Sequence, residues 1–366
     1  MNKIELIDLG YNDFFEGNRK AASDGNFIPA RVIAEHKGMY VVRNETSELS
    51  AKITGKMMFT ATSREDYPAV GDWVLIDALN DEQASVKEIL PRKTVLARKS
   101  AGNSEAQIIA SNIDTAFIVQ APDRDYSLNR FERYLALAES GGIKPVLILN
   151  KIDLVSGQEL RIKLTEIGSR FANVKILAIS TLSGDGTGEL KNFINPGMTY
   201  CFLGSSGVGK SSIINMLAGI NFIKTGEVSP STERGRHVTV HRELFVLENG
   251  GLLVDTPGMR EIGLIDSAAG IKNVFGGIEE LSRKCKFKDC GHINEPGCAV
   301  LEAVNSGMLD KDKYGNYLKL SKENEYNSMT KQERREKDRK FGKFMKTAKK
   351  ELKGGSIYLK DPPFRQ

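Results

Sequence analysis

A glycine-rich stretch in the middle of the chain has the residue types and spacing of a phosphate-binding loop. It consists of Gly204, Ser205, Ser206, Gly207, Val208, Gly209, Lys210 and Ser211, and it stands between an apolar run and a helix-forming segment. Glycines allow backbone N–H groups to turn toward phosphate oxygens, and the positive end of the following helix attracts the same negative charge. We expect Lys210 to reach the β- and γ-phosphates of a nucleotide and the Ser211 hydroxyl to bind Mg²⁺.

Two other polar segments follow apolar runs, and both come before this loop in the sequence. Asn150, Lys151, Ile152 and Asp153 follow PVLIL, and Ser180, Thr181 and Leu182 close VKILAI. The Asp153 carboxylate can accept from N1–H and the exocyclic amine of guanine, a donor pair that adenine lacks, so such a site rejects the wrong base by about 10⁴-fold. The second segment is a candidate donor of a backbone N–H to the guanine carbonyl. An ordinary Asn/Asp turn is the alternative for the first segment. The phosphate-binding loop elsewhere in the chain favours base recognition over such a turn.

The segment Asp255-Thr256-Pro257-Gly258 ends another apolar run and indicates a nucleotide-dependent switch. We expect Asp255 to hold Mg²⁺ through water and the Gly258 N–H to contact the γ-phosphate, so that the loop is held by GTP and released after hydrolysis. Residues 229–244, SPSTERGRHVTVHREL, are the candidate first switch. Thr239 is our candidate for a second hydroxyl on Mg²⁺, and Thr232 is the alternative.

The residue after the switch glycine bears on how water is activated. Ras-like proteins place a glutamine there, whereas this chain has Met259, and a thioether cannot orient water. His237 is the nearest titratable side chain in the first switch, and we hypothesise that it positions the water. A histidine held there for structural reasons is an equal alternative. With this residue, Lys210 and Gly258 complete the set of candidate catalytic residues.

Three of the four cysteines lie within fourteen residues and share that interval with a histidine. Cys285, Cys290, His292 and Cys298 have the composition of a tetrahedral Cys₃His zinc site, in which four protein ligands leave no position open for catalysis. We predict one structural zinc ion that contributes folding free energy to a segment too small for its own core. Buried reduced cysteines are the alternative, and we expect Cys201, in an apolar run, to be one of those.

Composition and charge restrict the class of protein. The 366 residues are 40% hydrophobic and 27% charged, which is typical of a globular chain long enough for two or three domains. No apolar run approaches the roughly 18 residues of a membrane helix, so we expect a cytoplasmic protein without a membrane partner. We also expect a monomer, since nothing in the sequence indicates an obligate dimer. The net charge is only +5, yet Lys331–Lys350 contains ten basic and three acidic residues. That segment can attract a polyanion, although a solvated helical face has the same composition.

The hydrophobic pattern predicts the elements that position these residues. Five short β-like runs between residues 30 and 98 predict a small antiparallel barrel of the OB type, a fold that often binds oligonucleotides. After about residue 105, apolar runs alternate with helical periodicity, which predicts a parallel doubly wound sheet with ligands at the carboxyl ends of its strands. We expect an N-terminal arm (1–29), the barrel (30–98), an α/β phosphate-loop domain (99–270), a mostly helical zinc module (271–320), and a basic helix and tail (321–366).

The order of the motifs is inverted relative to ordinary small GTPases, where the phosphate-binding loop comes first. Here Asn150–Asp153 precedes that loop by about fifty residues. A sheet depends on which strands are neighbours rather than on their order in the chain, so a circular permutation preserves the site. This order, together with the Cys-x₄-Cys-x-His-x₅-Cys spacing, resembles the ribosome small-subunit-dependent GTPase A family (RsgA, also called YjeQ) over residues 30 to 320.

The resemblance implies a GTPase with circularly permuted motifs that hydrolyses GTP to GDP and phosphate late in small-subunit maturation. It also implies stimulation by that subunit, binding to its rRNA, and release on hydrolysis. By residue, it implies that Asn150–Asp153 and Gly204–Ser212, which includes Ser212, bind GTP with Mg²⁺, and that the three cysteines and the histidine hold zinc.

Two features depart from the family pattern. The first switch has His237-Val238-Thr239-Val240 where the family usually has His-Thr-Thr-Thr, and the N-terminal arm is acidic where many relatives are basic. Lys331–Lys350 is therefore the better candidate for RNA contact. A GTPase for another ribonucleoprotein, a nucleotide-gated RNA-binding scaffold and an ATP hydrolase are the alternatives that the sequence leaves open.

Overall fold

The computed structural model describes residues 4–22, 27–36, 38–99, 106–123, 125–219, 242–255 and 267–354. Within these ranges, eleven strands form one continuous sheet and two more form a separate hairpin. No helix in the same ranges is both long enough and apolar enough to cross a bilayer.

The N-terminal part of the sheet is a closed five-stranded barrel preceded by helix α1 (Asp13–Ala22). Its elements are β1 (Ile28–His36), β2 (Met39–Arg43), β3 (Glu48–Ile53), α2 (Gly55–Thr60), β4 (Trp73–Ala78) and β5 (Gln83–Ile89). Pairing of β4 with the first half of β1 closes the order β1-β2-β3-β5-β4. Alternate strand residues such as Val32, Val42 and Val86 fill the interior. The predicted OB-type barrel is confirmed, with one difference: β3 and β5 run parallel.

An antiparallel hairpin links the barrel to the rest of the chain. Its strands are β6 (Val95–Lys99) and β7 (Ala106–Ser111). The sequence pattern did not predict this hairpin. Among the described residues its two strands pair with each other, and one bridge joins Ala110 to Val70.

The central part is the predicted parallel, doubly wound sheet. Its elements are β8 (Thr115–Gln120), α3 (Leu128–Ser140), β9 (Lys144–Leu149), α4 (Gly157–Arg170), β10 (Lys175–Ala178), α5 (Thr187–Phe193), β11 (Thr199–Leu203), α6 (Lys210–Ala218), β12 (Arg242–Val246) and β13 (Leu252–Asp255). The strand order is β10-β9-β8-β11-β13-β12, and only β12 is antiparallel to its neighbour within this part. Strand β8 is buried along its whole length because helices cover both faces of the sheet.

The C-terminal part is helical, as expected. It contains α7 (Ala268–Val274), α8 (Gly276–Ser282), α9 (Ala299–Asn305), α10 (Lys311–Ser328) and α11 (Lys331–Gly354). Helix α7 lies backbone to backbone against α3: a Cβ added to Gly270 would stand 1.9 Å from the Ala136 carbonyl oxygen. A larger residue at this position would force the two helices apart.

Helix α10 is fixed to the central domain by buried polar groups. The Glu132 carboxylate on α3 is fully buried and accepts from Arg170 of α4 at 2.8 Å and from the Asn316 amide of α10. An Arg133–Glu323 ion pair adds a second link between α3 and α10. Because each buried charge has charged or amide partners, the cost of desolvation is offset at this interface.

Strand β12 joins the barrel to the central sheet. It pairs with β13 on one side and with the second half of β1 on the other, where Glu243 stands opposite Ala34 and Arg242 opposite Glu35. The sequence pattern had placed Arg242–Leu244 at the end of a polar switch loop. The structure places these three residues in a strand, since they find hydrogen-bonding partners that are remote in sequence.

The fully buried Arg31 guanidinium is a second joint between the domains. It donates to the carbonyl oxygens of Leu9, Gly71 and Asn112, which belong to the N-terminal segment, the barrel and the central domain. Burial lowers the pKa of Arg31 to about 10, which still leaves the group charged at neutral pH. Nearby, the buried Asp72 of the barrel accepts from Arg92 at 2.7 Å and from the Ser111 hydroxyl. The barrel is therefore held in one orientation by satisfied polar groups as well as by the shared sheet.

Candidate nucleotide-binding site and metal centre

Four of the predicted segments lie at the carboxyl ends of neighbouring strands. Asn150 follows β9, Ser180 follows β10, Gly204 follows β11, and Asp255 is the last residue of β13. The strands β10, β9, β8, β11 and β13 are parallel neighbours, so their carboxyl ends form one edge. The structure therefore brings together segments that the sequence separates, at the edge where doubly wound sheets bind ligands.

A hydrogen bond joins the Asn150 segment to the phosphate-binding loop. The fully buried Asn150 side chain donates from Nδ2 to the Val208 carbonyl oxygen at 2.8 Å. Gly209 lies so close that an added Cβ would stand 2.2 Å from the same Nδ2, and its φ of +95° also favours glycine. The buried Asn150 Oδ1 has no hydrogen-bond partner among the described residues. A buried acceptor of this kind fits a bound ligand or water at the edge of the loop.

The loop itself has the form expected of a phosphate cradle. The Lys210 ammonium donates to the carbonyl oxygens of Gly204 at 2.7 Å and Ser205 at 2.6 Å, which folds the lysine over the loop. Helix α6 begins at Lys210 and has Ser211 and Ser212 in its first turn. The positive end of the helix and an ammonium group thus face the same space, an arrangement that attracts an anion.

Asp153 is oriented by a side chain for which the sequence had suggested another role. The Ser180 hydroxyl, which is fully buried, donates to Asp153 Oδ1 and accepts from the N–H groups of Leu182 at 3.2 Å and Ser183 at 3.1 Å. The sequence had suggested only backbone donors in this segment. One feature of the sequence could have indicated this contact: Ser180 and Asp153 follow two predicted strands that are neighbours in the sheet. Lys151, two residues before Asp153, adopts a left-handed conformation with φ of 61°.

Several predicted residues fall outside the part of the chain that the structure describes. They are Thr232, His237, Thr239, Gly258 and Met259. Their roles in Mg²⁺ binding, γ-phosphate contact and water activation stay predictions. Among the switch residues predicted to bind Mg²⁺ or the γ-phosphate, Asp255 at the end of β13 is the one that lies within the described ranges.

The second site is a compact cluster of Cys285, Cys290, His292 and Cys298. All four potential ligand atoms lie within 4.8 Å of one another. His292 Nδ1 is 3.6 Å from Cys285 Sγ and 3.4 Å from Cys298 Sγ, and these two sulfurs are 3.9 Å apart. A tetrahedral zinc ion requires S–N and S–S separations of about 3.6 and 3.8 Å. The four residues therefore fit one tetrahedral metal ion.

The loop that carries these ligands is held by its own hydrogen bonds. The Glu295 carboxylate accepts from the N–H groups of Asn294, Ile293 and Gly291 at 2.9–3.0 Å, and these bonds lower the pKa of Glu295 to about 2. The Tyr314 hydroxyl of α10 donates to the His292 carbonyl oxygen at 2.6 Å. Cys201 has a different setting: it lies in β11, and burial raises the pKa of its thiol to about 12. It is a core residue, as expected.

The fold and site define a circularly permuted P-loop GTPase, since the parallel sheet carries the phosphate-binding loop after β11 and the Asn-Lys-x-Asp segment after the earlier strand β9.

Comparison with known proteins agrees with this class. The profile of the RsgA GTPase family matches residues 89–265. The small ribosomal subunit biogenesis GTPase RsgA of Opitutus terrae is 39% identical over 335 residues, which covers 88% of this chain and 90% of that protein. RsgA 1 of Listeria innocua is 39% identical over 363 residues and covers 98% and 99% of the two chains. The crystal structure of YjeQ from Thermotoga maritima matches with a TM-score of 0.59 at 27% identity, over 80% of this chain and 96% of that one. The chain belongs to the RsgA GTPase family and is a GTP-hydrolysing enzyme.

The metal centre predicts the metal content of two cysteine variants. Wild-type protein should contain one metal ion per chain, whereas Cys298→Ser should lose it, because three ligands bind zinc far more weakly than four. Elemental analysis by mass spectrometry measures the content, and thermal melting should show a loss of stability in the same variant. Cys201→Ala is the matched control and should keep its metal. Equal metal loss in both variants, or a metal-free wild type with unchanged stability, would contradict the assignment.

Proposed function

We propose that this enzyme hydrolyses GTP during late maturation of the small ribosomal subunit, is stimulated by that subunit and is released after hydrolysis. The observation that supports this proposal most strongly is the near full-length match to relatives named as small ribosomal subunit biogenesis GTPases: the alignments cover 90% and 99% of two of them. We propose that the protein works as a monomer in the cytoplasm, where ribosomal subunits mature.

In this proposal different residues at the sheet edge bind the base and the phosphates of the nucleotide. Asp153, held by the Ser180 hydroxyl, binds the guanine edge, while Asn150 connects the base side of the site to the phosphate-binding loop. Residues 204–212 hold the phosphates, and Lys210 moves from its carbonyl partners to phosphate oxygens. Ser211, Asp255 and Thr239 are the proposed Mg²⁺ ligands. When bound, Mg²⁺ neutralises charge on the β- and γ-phosphates.

We propose that the Cys₃His cluster holds a structural zinc ion, because its four protein ligands complete a tetrahedral shell. The division into an arm, barrel, GTPase domain, zinc module and basic tail at residues 29/30, 98/99, 270/271 and 320/321 is part of the same proposal.

Helix α11 is our candidate for rRNA contact. Its start is fixed, since Arg334 donates to the carbonyl oxygens of Tyr326 at 3.0 Å and Asn327 at 2.6 Å at the end of α10. Beyond that turn, the side chains that the structure describes, including Arg335, Arg339 and Lys340, are exposed. A positively charged helix that projects from a folded body can bind phosphate groups through counterion release.

The main test of the proposed function is steady-state GTP turnover with purified ribosomal particles. We expect small subunits to raise turnover by at least about tenfold, and large subunits to leave it unchanged, because only the proper partner would complete a site that lacks the usual glutamine. Equal stimulation by both particles would support a GTPase for another ribonucleoprotein. Indifference to every particle would support a nucleotide-gated scaffold instead.

Guanine selectivity should depend on the Ser180 hydroxyl. Ser180→Ala leaves Asp153 without its orienting donor, and we expect about tenfold weaker GDP binding by fluorescence titration, since a hydrogen bond to a charged group contributes about 1.5–3 kcal/mol. Ser183→Ala is the matched control, because its hydroxyl contacts Asp185 rather than the proposed base site. Asp153→Asn should in addition lose the preference for GTP over ATP. An unchanged preference in that variant would favour an ATP hydrolase.

The hypothesis that His237 positions water predicts a separation of turnover from affinity. His237→Ala should lower kcat by about 10²-fold or more while GTP binding changes little, because a water-positioning group acts in the transition state. Single-turnover hydrolysis and nucleotide titration measure the two quantities. Equal losses in both would refute a catalytic role.

A further inference from the structure

Helix α3 has contacts with both the C-terminal helices and the phosphate-binding loop. It starts at the same edge of the sheet as that loop, because the buried Gln120 at the end of β8 holds Ser127 just before the first turn. The Ser127 N–H donates to Gln120 Oε1 at 2.9 Å, and Gln120 Nε2 donates to the Ser127 carbonyl oxygen at 2.8 Å. Strand β8 pairs with β11, which leads into the loop. The start of α3 and the loop are therefore fixed to neighbouring strands.

Two consecutive residues attach α3 to α10. The buried Glu132 carboxylate accepts from the Asn316 amide, and the Arg133 guanidinium donates to both carboxylate oxygens of Glu323. A bidentate arginine–carboxylate pair fixes the relative orientation of its two partners as well as their distance. The position of α3 is therefore tied to that of α10.

The next residue of α3, Tyr134, reaches the phosphate-binding loop. Side chains two positions apart on an α-helix point in nearly opposite directions, so Tyr134 leaves α3 on a different side from Glu132. Tyr134 is only 5% exposed and belongs to the same apolar core as Leu203, the last residue before the loop. Its hydroxyl makes a hydrogen-bonding contact with the Ser205 side chain of the loop. Burial raises the pKa of Tyr134, so this hydroxyl stays protonated at physiological pH.

Ser205 belongs to the part of the loop that holds the phosphate-binding lysine. Lys210 Nζ donates to the carbonyl oxygens of Ser205 and Gly204. Gly204 lies against β8, since an added Cβ would stand 2.3 Å from the Val119 carbonyl oxygen. The first two residues of the loop are thus fixed by β8 at Gly204 and by α3 at Ser205. A loop that already has its binding conformation loses less conformational entropy when it binds phosphate.

We propose that Tyr134 is a positioning residue for the phosphate-binding loop, and that α10 influences nucleotide affinity through it. The inference rests on the proposed assignment of residues 204–212 to the phosphates. Tyr134 acts through Ser205 rather than on the nucleotide itself. A displacement of α10 relative to the sheet would alter the loop, and by reciprocity a bound nucleotide would favour one position of α10.

Substitutions on both sides of the contact test the positioning role. We expect Tyr134→Phe, which removes only the hydroxyl, to weaken binding of fluorescent mant-GDP by about fivefold, a typical result of losing one neutral hydrogen bond. Ser205→Ala should have about the same effect, and the double variant should bind no more weakly than either single variant, because both remove one contact. Tyr126→Phe is the matched control: Tyr126 lies just before α3, and its buried hydroxyl has no hydrogen-bond partner among the described residues.

A kinetic measurement separates positioning from a general loss of stability. Tyr134→Phe should raise KM for GTP and leave kcat nearly unchanged, since the contact holds the loop equally in the ground state and in the transition state. Thermal melting of the nucleotide-free protein measures stability in the same samples. A lower melting temperature with an unchanged KM would indicate a purely structural role and would contradict the proposal.

Charge reversal on α10 tests the connection to the C-terminal helices. Glu323→Lys places a like charge against Arg133, and we expect about threefold weaker GDP binding, a smaller loss than in Tyr134→Phe because an exposed ion pair contributes little. In the Tyr134→Phe background the same substitution should cause no further loss. Glu325→Lys is the matched control, because Glu325 lies on the same helix but pairs with Lys337 of α11.

Three outcomes would overturn the proposal. They are unchanged GDP affinity in folded Tyr134→Phe and Ser205→Ala, additive losses in the double variant, or an effect of Glu323→Lys that equals that of Glu325→Lys or persists without the Tyr134 hydroxyl. Lys210→Ala is the reference for the underlying assignment. If it binds GDP as tightly as the wild type, residues 204–212 do not hold the phosphates. If it loses binding while Tyr134→Phe does not, this inference alone fails.

Discussion

The hydrogen bond from the Asn150 amide to the Val208 carbonyl oxygen is the contact on which the nucleotide site depends. It joins two loops that are 58 residues apart in the chain, and it is fully buried. Gly209 allows the approach, because no side chain fits between its backbone and the amide. The bond forms whichever loop is synthesised first, since it needs only that β9 and β11 each neighbour β8. The circular permutation is therefore neutral for the chemistry of the site.

The permutation does alter the connection from the second switch to the rest of the chain. Residue 267, the first described residue after that segment, is buried, and its N–H group donates to the Asn324 amide oxygen of α10 at 2.7 Å. The same helix contacts α3 through Asn316, and it contacts the metal-binding loop through Tyr314. Helix α10 thus contacts residue 267, the metal-binding loop and the first turn of α11. In an unpermuted GTPase the switch would lead back into its own sheet.

Local patterns in the sequence were sufficient for the barrel, the parallel sheet and the loops at its edge, because each depends on periodicity and on short motifs with fixed geometry. Contacts between remote segments could not be predicted in this way. The strand Arg242–Val246 begins with two charged residues. Its partners are β1, about 200 residues earlier in the chain, and β13, about 10 residues later. The Ser180 hydroxyl, the three carbonyl partners of Arg31 and the contact of Tyr134 with Ser205 likewise depend on tertiary contacts that no single motif encodes.

The joint between β1 and β12 has a consequence for synthesis of the chain. The barrel leaves the ribosome first and can close through β4, but the second half of β1 keeps one unpaired edge until β12 has been translated, about 200 residues later. At a typical elongation rate this interval is about 10 to 40 seconds. An open strand edge can pair with other nascent chains. The order of the strands therefore leaves that short edge open for as long as translation of the intervening residues takes.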